Sequence, residues 1–200
     1  MNRICVYCGS NRGNLPVYEI MARRVGAGIA RRGLELVYGG GRVGLMGAVA
    51  DAALETGGTV IGVMPEALFP KEIVHRGLSD LRSVSSMKER TELFFSLSDA
   101  FLTLPGGFGT LEEFFEAVTA FQIGAHRKPC AVLNVEGFYD FLLAQVGQMA
   151  TSEFILRQHQ ELVLSSDDPE LLLDALVAYR PPDLRIEDKW SDLNGTNTPL

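Results

Sequence analysis

Apolar positions along the chain fall into two alternating patterns. Short, nearly unbroken apolar runs occupy Arg3–Tyr7, Leu34–Tyr38, Thr59–Met64, Leu81–Val84, Ala100–Leu104 and Cys130–Val135. Each reads as a strand whose two faces are both covered. Between them, Val17–Arg31, Leu45–Gly57, Met87–Asp99 and Leu111–Ile123 are long enough for helices of three turns or more, and Phe138–Ala150 and Glu170–Tyr179 continue the alternation. Strand, crossover, strand, repeated, predicts an α/β fold: a Rossmann-like, doubly wound parallel sheet with helices on both faces.

Punctuation agrees with these elements. Ser86-Met87-Lys88-Glu89 has the spacing of a capping box, and Asp168 stands before Pro169 as an acidic cap before a first-turn proline. Gly33 and Gly124 sit where left-handed C-terminal caps belong. Residues 1–180 read as one Rossmann-like domain. From Pro181 to Leu200 the periodicity fades, and this stretch reads as a loose arm or one packed on a partner subunit, with Trp190 as its anchor.

Charge narrows the classes of function. With 18 Lys+Arg against 25 Asp+Glu, the net charge of −7 disfavours nucleic acid or an anionic membrane as partner, since both need basic surface. No apolar run approaches the roughly 20 residues of a membrane span. Met1-Asn2-Arg3 enters a strand at once, without the features of a signal peptide. Three cysteines suit a reducing cytoplasm better than a disulfide scaffold. Cys5 and Cys8 form C-x-x-C, but within a strand and its exit, so a thioredoxin-like role is not expected. His75, His126 and His159 are scattered, and no metal is expected.

Small and turn-forming residues gather at strand exits, where open parallel sheets bind ligands. The exits read Cys8-Gly9-Ser10-Asn11, Gly39-Gly40-Gly41, Met64-Pro65-Glu66 and Pro105-Gly106-Gly107-Phe108-Gly109-Thr110. Glycine lets backbone N–H groups approach an anion, so Ser10, Gly40, Gly41 and the Gly107–Thr110 run are candidate phosphate contacts. Gly39 to Gly44 matches G-x-G-x-x-G, yet it follows the second strand, and Thr59–Met64 ends without the acid a dinucleotide fingerprint requires. A P-loop is also absent.

Two charged residues break the apolar logic. Arg90 falls on the stripe Met87, Leu93, Phe94 and Leu97, where a guanidinium needs an anionic or carbonyl partner: a carboxylate of this chain, a catalytic acid or a ligand phosphate. Glu112 and Glu113, expected in the first turn after the glycine loop, would complement the helix dipole. A carboxylate near a phosphate loop nevertheless opposes anion binding unless it acts in chemistry.

Pro105-Gly106-Gly107-Phe108-Gly109-Thr110-Leu111-Glu112-Glu113 resembles the P-G-G-x-G-T-x-x-E signature of the Lonely Guy (LOG) family. Its members are cytokinin riboside 5′-monophosphate phosphoribohydrolases, often labelled lysine decarboxylases. Cys8-Gly9-Ser10, Tyr38 to Gly41, Val43 to Gly47, Met87-x-x-Arg90 and Gly137-Phe138-Tyr139 extend the resemblance over about residues 3–165. The resemblance implies Arg90 and Glu113 as the catalytic pair and Gly107, Phe108, Gly109 and Thr110 as the phosphate cradle. It places Leu111 and Glu112 among the substrate contacts and adds Glu72 and Thr119. The family's M-H-x-R-K motif is here Met87-Lys88-Glu89-Arg90-Thr91, so Thr91 stands where a lysine is usual and a cationic contact is lost. The implied substrate is a cytokinin riboside 5′-monophosphate or AMP, with no cofactor and a homodimeric assembly. Rival readings are a non-catalytic nucleotide or molybdenum-cofactor carrier, and a pyridoxal-phosphate decarboxylase. The second is disfavoured because none of Lys71, Lys88, Lys128 and Lys189 stands at a glycine-rich strand end.

Overall fold

The computed structural model describes residues 1–65, 70 and 73–182. Seven parallel strands form one sheet: β1 (Arg3–Tyr7), β2 (Glu35–Tyr38), β3 (Val60–Met64), β4 (Asp80–Ser83), β5 (Ala100–Thr103), β6 (Cys130–Leu133) and β7 (Val163–Ser166). Their order is β4-β3-β2-β1-β5-β6-β7, so the winding direction reverses between β1 and β5. Among the described residues six α-helices connect or follow them: α1 (Pro16–Arg31), α2 (Gly44–Glu55), α3 (Met87–Leu97), α4 (Phe108–Gln122), α5 (Asp140–Thr151) and α6 (Pro169–Ala178).

Alternation along each strand sorts side chains to two faces. Ile4, Val6, Leu36, Val60 and Leu102 pack with α1, α2 and α6 residues on one face. Cys5, Tyr7, Val37, Ile61, Val63 and Phe101 pack on the other with Phe94 of α3 and Ala117 and Phe121 of α4. The predicted strands and helices correspond closely to the observed ones. β7 is the exception: its two apolar residues followed by Ser165 and Ser166 form too short an edge to read as a strand. The predicted caps form, with Asp168 accepting from the N–H groups of Glu170 and Leu171 at 2.7 and 3.1 Å. Ser86 accepts from the Glu89 N–H at 3.1 Å, but the Glu89 carboxylate returns to the Ser85 N–H and hydroxyl rather than to Ser86. Gly33 and Gly124 adopt φ of 68° and 78°, as left-handed caps.

The strand exits around the reversal point are tied together by backbone. Leu104 N–H donates to Tyr7 O at 2.8 Å, Gly9 N–H to Pro105 O at 3.0 Å, and Leu45 N–H to Gly9 O at 3.0 Å. The buried Tyr139 hydroxyl donates to Leu104 O at 2.7 Å, fixing the end of β5 where the glycine loop begins. The loops that hold the candidate residues are thus anchored to the sheet.

α1 and α2 cross closely at Gly26, where a Cβ would overlap the Val49 carbonyl oxygen. Alanine normally favours a helix over glycine by about 1 kcal/mol. Here overpacking against rigid backbone opposes that preference with a penalty of about 1–3 kcal/mol. Gly26→Ala is therefore expected to lower the denaturant midpoint despite improving helix propensity; a raised midpoint would contradict the close crossing.

Candidate active site

At the carboxyl ends of β1, β2 and β5 opens a cavity of about 320 Å³, walled by Tyr7, Ser10, Gly39, Met46, Met87, Arg90, Gly107, Phe108, Gly109, Thr110 and Glu113, among others. Each element brings its residue by a simple local route. β5 ends at a glycine loop, and α4 begins at Phe108 with Gly107 as its N-cap, carrying no side-chain cap. Its first-turn N–H groups stay available to an anion. At Gly107 and Gly109 an added Cβ would have no neighbour within 4 Å, so the protein's own packing leaves open space above this backbone. Gly106 differs, because its Cβ would overlap the Thr110 hydroxyl.

The helix start corrects one expectation. Glu112 and Glu113 lie in the second turn of α4, since Gly107-Phe108-Gly109-Thr110 belongs to the cap and first turn rather than to a preceding loop. Simple dipole complementation does not explain Glu113, because that effect fades beyond the first turn. Its side chain is only 19 % exposed and faces Arg90, itself 12 % exposed, with Nη1 at 3.5 Å from Oε1. Arg90 thus has a carboxylate of its own chain as partner, and the partner is the candidate acid.

Two further groups hold the guanidinium. Arg90 Nε–H donates to the Val63 carbonyl at 3.2 Å, and Cζ lies 5.0 Å from the centroid of the buried Phe94 ring. A Cβ on Gly39 would overlap Nη2, so only glycine leaves room there. Burial raises the Glu113 carboxyl to about 7; Arg90 pulls it down, while Glu112 and Glu116 push it up. This carboxyl exchanges its proton near neutrality, as general acid–base work requires.

The other sequence-derived candidates divide. Ser10 and the Gly107–Thr110 run line the cavity, but of the glycines that follow β2 Gly39 does so rather than Gly40 or Gly41. Gly40, with φ of 75°, and Gly41 are buried, pinning the chain beyond β3: His75 N–H donates to Gly40 O at 2.9 Å, and Gly41 bridges Val74. Thr91, Leu111 and Glu112 do not line the cavity. Thr119 is exposed two turns farther along α4 and borders a separate apolar groove with Phe115 and Met149. Glu72 and the arm beyond Pro182 lie outside the described residues. Tyr7, Gly39 and Met46 were missed as wall residues; their only signal was position at a strand exit or on the first turn beyond one.

Among the described residues no group of three His, Cys, Asp or Glu could hold a metal ion. The cysteines are buried and free, with burial raising all three thiols, Cys130 to about 12. They are poor nucleophiles in this state. No described lysine lines the cavity: Lys128 Nζ donates to the Phe95 carbonyl, and Lys88 lies on the exposed surface near Glu92. The described residues therefore offer pyridoxal phosphate no Schiff-base partner there.

A methyl at Gly39 would strike the Arg90 guanidinium, so Gly39→Ala is expected to displace Arg90 from its place beside Glu113. With that cation moved away, the Glu113 carboxyl should titrate above its present value of about 7. Carbon-detected NMR of the carboxyl would check this; an unchanged or lowered titration point would contradict the clamp.

A family model described as "Possible lysine decarboxylase" matches residues 46–176. A probable cytokinin riboside 5′-monophosphate phosphoribohydrolase of Oryza sativa subsp. japonica is 45% identical over 177 residues, covering 88% of this chain and 79% of its own length. A cytokinin riboside 5′-monophosphate phosphoribohydrolase of Arabidopsis thaliana is 39% identical over 194 residues, covering 96% of this chain and 89% of its own. Among solved structures, the molybdenum cofactor binding protein of Rippkaea orientalis superposes with a TM-score of 0.68 at 23% identity, over 88% of this chain and 96% of that one. This last likeness is one of fold alone. With the Pro105–Glu113 signature at its cavity and such relatives along most of its length, the chain belongs to the Lonely Guy family.

Proposed function

We propose that this protein is a phosphoribohydrolase that cleaves the N-glycosidic bond of adenine-type nucleoside 5′-monophosphates, cytokinin riboside 5′-monophosphates and AMP among them. The products are the free base and ribose 5-phosphate. The observation that carries this reading is the Arg90–Glu113 pair, set in the same cavity as the uncapped, glycine-opened start of α4. The names of the relatives supply the substrate class.

The 5′-phosphate would lie against the N–H groups of Gly107 to Thr110, which binds the substrate by a part that does not react. Such remote binding energy can hold the sugar in reactive geometry. Departure of the base takes the bonding electron pair and leaves positive charge on the sugar, as in other glycoside hydrolyses. An ionised Glu113 stabilises that charge and accepts a proton from the water that attacks the anomeric carbon; the departing base takes up one proton from solvent, and Glu113 then releases the one it gained, which restores the carboxylate. Arg90 holds the carboxylate in place and offers donors to the ribose or phosphate oxygens. Mere carriage of a nucleotide would give Glu113 no such task.

The exposed rings of Phe108, Phe141 and Phe154 offer apolar surface to a second subunit. A homodimer is part of this reading, as is a cytoplasmic location suited to three free thiols.

Purified protein is expected to release adenine and ribose 5-phosphate from AMP, and Glu113→Gln to cut turnover by about 10²–10⁴-fold while nucleotide affinity changes little. Turnover near wild type in that variant would refute the assignment. The reactive form is the carboxylate, and its carboxyl titrates at about 7 in the free protein. The sign follows: kcat/KM should fall as pH drops below that value, by about tenfold per unit well below it. An acid limb near the ordinary glutamate range would show that burial does not govern the reacting group.

A further inference from the structure

On the other side of the glycine loop lies a second cavity, of about 240 Å³. It shares Gly9, Ser10 and Gly107 with the catalytic cavity and none of Gly39, Met46, Arg90 or Glu113. Its apolar wall includes Tyr18, Leu45 and Phe138, and Asn11 and Arg12 join Ser10 among its polar residues. The Tyr18 and Phe138 rings meet edge to face at 5.9 Å and 78°. Gly13 takes φ of 77°, and a Cβ there would come within 2.6 Å of the Tyr18 ring, so the β1–α1 loop is shaped around that ring.

The order of parts along this groove limits what could occupy it. Arg90 and Glu113, where the sugar reacts, lie on one side of Gly107, and the aromatic wall lies on the other. With the phosphate on the shared Gly107 backbone, a group in the second cavity would be joined to the nucleotide through that phosphate. The polar side chains suit added negative charge: the Arg12 guanidinium is 72% exposed, and Glu19 lies 3.2 Å away in an ion pair open enough to exchange. Beyond them the rings offer edges and faces to a flat heterocycle. The catalytic cavity alone stands near the lower limit of ligand-sized clefts, and the second one extends it well into that range.

We propose that the second cavity is a subsite for the distal half of a pyrophosphate-linked dinucleotide, with its heterocycle against Tyr18 and Phe138 and its second phosphate beside Arg12. The proposal rests on the phosphate position in the functional reading above. The test is calorimetric titration of the Glu113→Gln protein, which slows turnover, with AMP and with diadenosine 5′,5′-diphosphate. Base stacking predicts that the dinucleotide binds about tenfold more tightly than AMP. Adding Tyr18→Ala or Phe138→Ala should erase that advantage while AMP affinity stays within about twofold, and Phe138→Tyr should retain it.

A dinucleotide that binds no better than AMP overturns the proposal without recourse to any second variant, and so does equal weakening of both ligands by the ring deletions. Hydrolysis of AMP by the wild-type protein is scored separately. If AMP is hydrolysed but the dinucleotide has no advantage, only the subsite fails. If the advantage is present and ring-dependent but AMP is not hydrolysed, only the hydrolase reading fails.

Discussion

A carboxyl group withdrawn from water must either hold its proton or keep a cation beside it, and most of this site follows from that constraint. Glu113 does both by halves. Burial raises its carboxyl to about 7, and Arg90 limits the rise. The guanidinium in turn needs a fixed place, because a mobile cation would neither tune the carboxyl nor meet a substrate. Val63 supplies a carbonyl, Phe94 a ring face, and Gly39 the absence of a side chain. Each comes from a different element, so the pair exists only when β2, β3, α3 and α4 are correctly assembled.

The sheet topology provides the second condition. Reversal of strand order between β1 and β5 leaves a crevice at their carboxyl ends, and open α/β sheets use such crevices for ligands. Here the crevice edges are tied by the Leu104–Tyr7 and Gly9–Pro105 backbone hydrogen bonds, with Tyr139 holding Leu104. The uncapped, glycine-opened helix start and the carboxyl paired with Arg90 then share a single helix, α4, with its N-cap at Gly107 and Glu113 in its second turn. Their separation is set by helix geometry rather than by loop conformation, which suits a reaction sensitive to small displacements.

Much of the fold was legible because a doubly covered sheet writes strands as unbroken apolar runs. Edge strand β7 escaped, having only Val163 and Leu164 before two serines. The start of α4 was misread for a different reason. Gly107 and Gly109 carry strong turn signals, yet the N-cap and first helical turn tolerate glycine, and Phe108 already has helical neighbours. Arg90 was legible as a charge on an apolar stripe. Its partner was not, since nothing in helical periodicity links α3 to α4; only the family signature joined them. That same resemblance placed Thr119 near substrate, whereas within one chain it borders a different groove. Gly40 and Gly41 looked like ligand contacts because backbone anchoring and ligand approach leave the same glycine pattern in a sequence.

The central claim is spatial: the phosphate-binding turn and the neutral-range carboxyl act on one nucleotide at the same time. A crystal structure of the Glu113→Gln protein with AMP examines that directly. The account predicts the phosphate on the Gly107–Thr110 backbone and the anomeric carbon roughly 3–4 Å from the side chain at position 113. A nucleotide whose phosphate lies elsewhere, or whose sugar turns away from that side chain toward solvent, would contradict it.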